Sequence, residues 1–196
     1  MKPTLKTGFA TLLLIAVSCR KESVNKDASS ISQNSTQQGQ TFTIGQHYGG
    51  GIIFYIDSTN KHGLIADTGD LARAEWWNPL NATHAKTGAT HTEIGWGLRN
   101  TKKIFSTEGD SGLYAARECL MSTRGGYTDW FLPTKDELTE LYLQKDVVGG
   151  FTTATHGHYW SSSRQHKYAW KEDFDDGDFY LGYQGGTVRV RAVRAF

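Results

Sequence analysis

The chain has 196 residues, of which 38% are hydrophobic and 21% are charged, and it contains 22 glycines, six tryptophans, nine tyrosines and nine phenylalanines. This is enough apolar material to bury a core, so global disorder is excluded. Only three prolines and no fixed-period repeat occur, which excludes collagen-like, solenoid and propeller architectures. The formal net charge of +1 excludes a generic nucleic-acid binder, because such proteins carry a strong basic excess.

The first 19 residues have the order typical of a bacterial export signal. Lys2 and Lys6 form a short positive region, residues 8–17 form an apolar run, and small residues follow up to Cys19. This run is too short for a spanning helix, which needs about 20 residues. Residues 16–19 resemble the lipobox of bacterial lipoproteins, in which the cysteine is acylated. We therefore expect a lipid anchor at Cys19 in the bacterial cell envelope, at the outer membrane, with a plain signal peptide as the alternative.

The composition changes at Phe42. Residues 20–40 contain five serines, four glutamines and no aromatic residue, which is typical of a flexible tether. From Phe42 onward the chain is rich in aromatic residues and carries 16 basic and 18 acidic side chains. We predict an export signal at residues 1–19, a tether at 20–41 and one domain at 42–196. The anchor at Cys19 is the only predicted contact with the membrane.

The two cysteines do not predict a disulfide. If Cys19 carries lipid, Cys119 has no partner within the chain. Cys119 lies in an apolar stretch, so we predict a buried side chain and not a reactive thiol.

The N-terminal part of the domain predicts a hairpin and a long loop. Residues 51–57 and 62–67 are apolar runs separated by turn-forming residues, which is typical of a β-hairpin. Residues 68–97 contain three tryptophans without sustained periodicity, so we expect a long irregular loop. Ordered loops of this length often carry function.

Three helices are predicted in the middle of the chain. Asn100 is the expected N-cap of a short helix at residues 101–105, and Ser111 that of a helix at 113–122. The second helix is expected to bury Leu113, Ala116 and Leu120 on one face. The third has the clearest start, because Thr134 and Glu137 form a capping box. Its buried stripe comprises Leu138, Leu141 and Tyr142, and Gly149-Gly150 ends it.

The C-terminal part predicts antiparallel strands. A strand begins at Tyr159-Trp160, and residues 168–174 and 179–183 form a hairpin across an Asp-Asp-Gly turn. Residues 188–196 alternate apolar and basic side chains and lose this phase near Ala192, so we expect a final strand with a bulge.

Four motifs, in this order, resemble the DUF1566 family, also called the Lcl C-terminal domain family: residues 50–55, 127–138, 159–163 and 190–194. The resemblance covers residues 42–196. It implies an α+β, C-type-lectin-like fold with paired terminal strands, two or three helices, a second small antiparallel sheet and long loops. The implied pairing sets residues 52–56 beside 188–192. The family is distantly related to the sulfatase-modifying-factor domains, and adhesin relatives bind sulfated polysaccharides.

No cofactor or metal site is predicted. The sulfatase-modifying enzymes use reactive cysteines or bound copper, and this domain has only Cys119. The calcium-binding tripeptides of sugar-binding C-type lectins do not occur in this sequence. The acidic residues 173–178 leave calcium open, but Gly177 stands where a calcium loop needs a ligand, so a solvated hairpin is favoured. His156 and His158 have no third ligand nearby in sequence, so a plain loop is favoured there.

The candidate ligand-binding residues are aromatic and lie on loops: Trp76, Trp77, Trp96, His156 and His158. Exposed rings stack on sugar faces, whereas buried rings anchor a long loop to the core, and both interpretations stay open here. We predict a surface-anchored recognition domain without enzymatic activity, which binds an extracellular glycan or protein and no nucleic acid. The alternatives are a structural envelope protein or an enzyme of the sulfatase-modifying-factor type.

Overall fold

The computed structural model describes residues 40–81, 86–152 and 156–196. The predicted export signal, its Cys19 and residues 20–39 of the predicted tether lie outside the described residues. No helix in the described part of the chain has the length and apolar character needed to cross a membrane.

The described ranges contain four α-helices and two antiparallel sheets, which confirms the predicted α+β class. The strands are β1 (His47–Tyr48), β2 (Gly51–Ile56), β3 (Gly63–Ala66), β4 (His158–Gln165), β5 (Tyr168–Asp173), β6 (Phe179–Tyr183) and β7 (Val193–Ala195). The helices are α1 (Gly97–Glu108), α2 (Ala115–Leu120), α3 (Lys135–Leu143) and α4 (Lys145–Val148). One sheet has the strand order β1-β2-β3-β7, and the other has the order β4-β5-β6.

The predicted first hairpin is confirmed, but the predicted pairing of the first and last strands is wrong. β2 and β3 are antiparallel partners, with Ile53 opposite Ile65. The last strand, β7, pairs with β3 and not with β2, and Ala66 lies opposite Val193. The reason is geometric: β1 occupies one side of β2 and the hairpin partner β3 occupies the other, so β2 has no free edge and the C-terminal strand pairs with the outer side of β3.

Residues 188–192 do not form the predicted strand. Val188 makes an isolated bridge to Ala74, and Arg189 makes one to Tyr159. The regular strand begins only after Ala192, where the alternation of side chains changes phase. This segment therefore ties the long loop and the second sheet to the first sheet.

α1 begins earlier than predicted. Asn100 is not its cap; it is a buried residue inside the helix, and its Nδ2 donates to the carbonyl of His91 at 2.7 Å. Trp96 stands at the N-cap position without a side-chain capping bond. The carboxylate of Glu137 takes over this role, since its Oε1 accepts from the backbone N–H groups of Gly95 at 2.8 Å and Gly97 at 3.3 Å. The cap comes from a distant segment, which local sequence does not reveal.

α2, in contrast, begins later than predicted. Ser111 does not cap it, because the helix starts after Tyr114 and the Ser111 hydroxyl accepts instead from Asn78 at 3.2 Å. Leu113 is 47% exposed, and the buried face comprises Ala115, Ala116 and Cys119. The prediction of a buried Cys119 is confirmed, and burial raises the pKa of its thiol well above the ordinary value.

The capping box of α3 is confirmed. Thr134 Oγ1 accepts from the backbone of Glu137 at 3.1 Å, and Glu137 Oε2 accepts from the backbone of Thr134 at 2.8 Å. Leu138 and Leu141 are fully buried, as predicted. The helix ends at Leu143, and the short α4 carries the chain to the predicted glycine stop. Burial raises the pKa of the Glu137 carboxyl, although its backbone hydrogen bonds oppose this shift.

The predicted second hairpin is confirmed. β5 and β6 are antiparallel, with Tyr168 opposite Tyr183 and Glu172 opposite Phe179. Gly177 in the connecting turn has a φ of 84°, and a Cβ at this position would lie 2.5 Å from the Tyr142 ring. The turn therefore requires glycine and packs against α3.

Candidate functional site

Trp76 anchors the long loop to the core. Its side chain is fully buried, and its indole Nε1 donates to the carbonyl of Ser161 in β4 at 2.8 Å. Trp77 is 8% exposed, donates to Glu75 at 2.9 Å and packs edge-on against Tyr183. Of the two interpretations that the sequence left open, the burial of both rings favours loop anchoring over stacking on a ligand at these two positions. A long loop without periodic packing needs large buried side chains to hold it, and these two provide them.

Trp96 is placed differently, at the half-buried start of α1. Its ring stacks on the His91 imidazole, with 3.6 Å between ring centroids and 7° between planes. The Arg99 guanidinium lies over the same indole, 4.7 Å from its centroid. This packing fixes both the tryptophan and the neighbouring cation, which holds Arg99 in a defined position at the surface.

Three cations follow Trp96 on one face of α1. Arg99, Lys102 and Lys103 have the spacing i, i+3 and i+4, which places side chains side by side on a helix. We call them the α1 stripe. The stripe borders an open cleft of about 590 Å³, which we call the α1 cleft. The residues lining this cleft include no acidic side chain: Gly95, Leu98, Arg99, Lys102, Lys103 and Ser106.

The cations of the α1 stripe do not stabilise the helix that carries them. Neighbouring like charges at these spacings destabilise a helix by a few tenths of a kcal/mol. Arg99 lies in the first turn, where the helix dipole favours acidic residues, and this first turn has none. Among the described residues, no salt bridge neutralises the stripe, and Lys103 Nζ donates only to the Gly88 carbonyl, at 2.9 Å. The arrangement is therefore suited to an external anion more than to helix stability.

A second cleft, of about 370 Å³, adjoins the α1 cleft, because Gly95 borders both. Its lining includes the apolar and aromatic residues Tyr55, Ile94 and Phe196 together with one acidic residue, Asp57. Ile94 is 37% exposed. Apolar and aromatic surface thus lies directly beside the cations of the α1 stripe. Such a combination suits a ligand with alternating apolar faces and anionic groups.

The predicted histidines lie elsewhere and do not line the α1 cleft. The rings of His156 and His158 are 5.8 Å apart, and His158 also lies 5.3 Å from the Tyr180 ring. His158 Nδ1 is 3.2 Å from Asp173 Oδ2, at an angle that makes no hydrogen bond. Burial lowers the pKa of His158, and Lys171 lowers it further, while Asp173 opposes the shift. A neutral imidazole is therefore favoured there.

The acidic turn between β5 and β6 bonds to its own backbone. Asp173 Oδ1 accepts from the N–H of Asp175 at 3.0 Å, and Asp176 Oδ1 accepts from the N–H of Asp178 at 2.9 Å. Across the described ranges, no group of three or more His, Cys, Asp and Glu side chains is placed to hold a metal ion.

The sequence prediction missed the α1 stripe, although a signal for it was present. Arg99, Lys102 and Lys103 repeat at helical spacing without acidic neighbours at i+3 or i+4. Placing the helix start at Asn100 hid this pattern, because Arg99 then fell outside the helix. The stripe becomes evident only when the helix begins at Gly97.

A family comparison covers this region. The model of the Lcl C-terminal domain matches residues 77–194, which is more than half of the chain. The chain belongs to the Lcl C-terminal domain family. The matched residues include all four helices and therefore the whole α1 stripe. A comparison with curated proteins found no match.

Proposed function

We propose that this Lcl C-terminal domain is a recognition module, without enzymatic activity, that binds an extracellular anionic glycan. The observation that supports this most is the α1 stripe, where three cations lie on one helix face without an ion pair among the described residues. Sulfate and carboxylate groups form charge-assisted hydrogen bonds with such cations. Tyr55 and Phe196 of the adjoining cleft add apolar surface that suits the faces of sugar rings, and Trp96 holds the Arg99 guanidinium over its own ring.

The electrostatic attraction between the domain and an anionic ligand is expected to be local. Residues 42–196 carry 16 basic and 18 acidic side chains, so the domain as a whole does not attract anions from a distance. Salt screens charges beyond about 8 Å at physiological ionic strength, so the ligand responds mainly to the cations it touches. Arg99 and Lys103 are separated by about 6 Å along the helix axis. The α1 stripe therefore suits anionic groups carried close together on a polysaccharide.

The membrane attachment of this module is inferred from the sequence motifs. We infer that Cys19 is acylated and that the mature chain is held at the outer membrane, which leaves the domain outside the lipid. The C-type-lectin-like relationship implied by the resemblance is supported by a sheet that contains both the first and the last strands of the domain. Intact mass measurement of the membrane-extracted chain tests the anchor, since acylation at Cys19 adds a defined mass and removes the preceding residues.

The binding proposal is tested with the full chain in detergent and immobilised heparin as the probe polysaccharide. Replacing Arg99 and Lys102 with alanine removes two exposed contacts worth up to about 1 kcal/mol each, so affinity is expected to fall about threefold to thirtyfold. The control replaces Lys86 and Lys167, which removes the same charge from residues that line neither the α1 cleft nor the adjoining cleft. Uncharged dextran serves as the second probe.

The expected pattern is loss of heparin binding in the Arg99/Lys102 variant, retention in the control, and weakening of the parent by added salt. Equal loss in both variants would show that binding follows net charge and that the α1 cleft is not the site. No binding of heparin by the parent chain would contradict the anionic-glycan proposal itself.

A further inference from the structure

The α1 cleft and the adjoining cleft continue into a third cleft of about 360 Å³. His62 and Phe196 border both the adjoining cleft and the third cleft. Since Gly95 borders both the α1 cleft and the adjoining cleft, the three clefts follow one another, with the adjoining cleft in the middle. We call them together the three-cleft groove. It extends the proposed site well beyond α1.

Phe196 is held firmly where the adjoining cleft meets the third cleft. Its ring lies 4.5 Å from that of Phe42 and 5.5 Å from that of Tyr48, between ring centroids. Its backbone N–H donates to the carbonyl of Gly63 at 3.2 Å, and a Cβ at Gly63 would lie 2.7 Å from the Phe196 ring. The ring thus packs directly on the backbone of the first hairpin. It offers a preformed apolar surface to two clefts, of the kind on which a sugar ring packs.

The sign of the charged side chains changes along the three-cleft groove. The α1 cleft carries the three cations of the α1 stripe. Asp57 brings a carboxylate to the adjoining cleft, and the described residues that line this cleft include no lysine or arginine. The described lining of the third cleft includes Lys61 and Arg194 but no acidic side chain. The two ends of the groove therefore attract anions, whereas its middle repels them.

Lys61 is the available cation of the third cleft. It is exposed and takes part in no salt bridge within the described ranges. Arg194, in contrast, donates from Nε and Nη2 to the two carboxylate oxygens of Asp129, at 2.7 and 2.8 Å. Its guanidinium also lies over the Tyr127 ring, 3.9 Å from the centroid. An anionic group in the third cleft therefore meets Lys61 as an uncompensated charge.

Asp57 is ionised at neutral pH. Its Oδ1 accepts from the hydroxyl of Thr59 at 2.6 Å and from the backbone N–H of Thr59 at 3.0 Å. The bond from the hydroxyl is the main reason why the pKa of the Asp57 carboxyl lies below its ordinary value. A carboxylate repels a sulfate or carboxylate placed beside it, but it accepts hydrogen bonds from sugar hydroxyls. The middle of the groove therefore favours an uncharged sugar.

We propose, on the basis of the glycan-binding function above, that the three-cleft groove binds a polysaccharide whose anionic sugars alternate with uncharged ones. Anionic sugars lie at the α1 stripe and at Lys61, and an uncharged sugar lies between them at Asp57. The charge pattern favours this ligand over an evenly charged polymer. A nucleic acid or an evenly sulfated glycan carries an anionic group on every unit, so one of these groups would face Asp57.

The first test measures how Asp57 affects the choice between two polymers, with the full chain in detergent. Heparin is sulfated on most of its sugars, whereas desulfated chondroitin carries a carboxylate on alternate sugars only. Asp57→Asn keeps the oxygen that accepts from Thr59 and removes the charge. Heparin affinity is therefore expected to rise about twofold to fivefold, and desulfated chondroitin affinity is not expected to rise.

Asp146→Asn is the matched control, because Asp146 is exposed and lines none of the three clefts. It is expected to leave both affinities unchanged. An equal rise in heparin affinity in both variants would show that only net charge matters, and an equal rise for both polymers in Asp57→Asn would show that the middle of the groove does not discriminate. Either result would overturn the proposal.

The second test measures whether the ligand reaches Lys61. A desulfated chondroitin disaccharide has two sugars and cannot occupy three clefts, whereas a decasaccharide is long enough to do so. Lys61→Ala is expected to weaken decasaccharide binding about twofold to fivefold and to leave disaccharide binding unchanged. Lys167→Ala removes the same charge outside the groove and is expected to change neither. Decasaccharide binding that is unaffected by Lys61→Ala, or equal weakening for both lengths, would contradict the proposal.

Failure of the groove and failure of the α1 cleft give different results. If the Arg99/Lys102 variant loses heparin while the Asp57 and Lys61 variants bind like the parent, the α1 cleft is the whole site and the groove is overturned. Binding of heparin but not of desulfated chondroitin by the parent would likewise overturn the alternating ligand alone. If the parent binds neither polymer, both proposals are wrong.

Discussion

Glu137 connects two helices, and its replacement tests how the candidate site is positioned. Its Oε2 accepts from Thr134 to close the capping box of α3, while its Oε1 accepts from Gly95 and Gly97 at the start of α1. The side chain is fully buried, so no water replaces a lost bond. Glu137→Gln keeps the shape but turns one acceptor into an N–H donor.

The expected cost of Glu137→Gln is about 2–4 kcal/mol of unfolding free energy. A hydrogen bond to a charged group contributes about 1.5–3 kcal/mol, and a buried donor left without a partner costs about 1–3 kcal/mol. The glutamine amide can keep its oxygen toward α1 or toward Thr134, but not toward both. Thr134→Ala removes only one acceptor within α3 and is expected to cost about 1 kcal/mol.

Urea unfolding of the full chain, followed by tryptophan fluorescence, compares the parent with Glu137→Gln and Thr134→Ala. Heparin affinity is measured on the same samples under folding conditions. Because Glu137 fixes the first turn of α1, its glutamine variant is also expected to weaken heparin binding. Thr134→Ala, which leaves the Gly95 and Gly97 bonds in place, is expected to bind heparin like the parent.

The reasoning is refuted if Thr134→Ala destabilises the chain as much as Glu137→Gln does. That result would mean that the bonds to Gly95 and Gly97 contribute nothing and that α1 is positioned by other contacts. If Glu137→Gln lowered the stability of the chain but left its heparin affinity unchanged, the stability of α1 would not control heparin binding.

Four further predictions concern single side chains. Burial raises the pKa of Glu172 to about 8, so its stabilising contribution is complete below pH 4.5 and is lost as the pH rises to 8. Glu172→Gln should remove up to about 5 kcal/mol of this pH dependence in urea titrations. Trp76→Ala should cost about 3–5 kcal/mol, whereas Trp96→Ala should weaken heparin binding with little effect on unfolding. Cys119 should react with a thiol reagent only after denaturation.

The sequence predicted those elements whose determinants lie close together along the chain. The capping box joins Thr134 and Glu137, three residues apart, and both hairpins follow from apolar runs on either side of a turn. Such signals depend only on local geometry, so they hold whatever the surrounding fold is. The position of β7 does not follow from local signals, because it depends on which edge the first hairpin leaves open.

The candidate site was less predictable from the sequence because it, too, depends on contacts between residues that lie far apart along the chain. Trp76 and Trp96 lie in the same irregular loop, yet one is buried against Ser161 and the other stacks on His91 at the surface. Loop sequence carries no periodicity that separates inward from outward rings. Likewise, the start of α1 depends on Glu137, which lies 40 residues further along the chain than Gly97.

These distant contacts also explain how α1 tolerates its cations. Arg99 opposes the helix dipole in the first turn, and Arg99 and Lys102 repel each other, which costs a few tenths of a kcal/mol per pair. The buried carboxylate of Glu137 and the bond from Asn100 to the His91 carbonyl stabilise the same end of the helix by more than that amount. Because this stabilisation comes from buried groups, the exposed face of α1 does not have to contribute to stability. Its residues can therefore serve the proposed binding of an anionic glycan without a loss of stability, as expected for surface residues on a rigid scaffold.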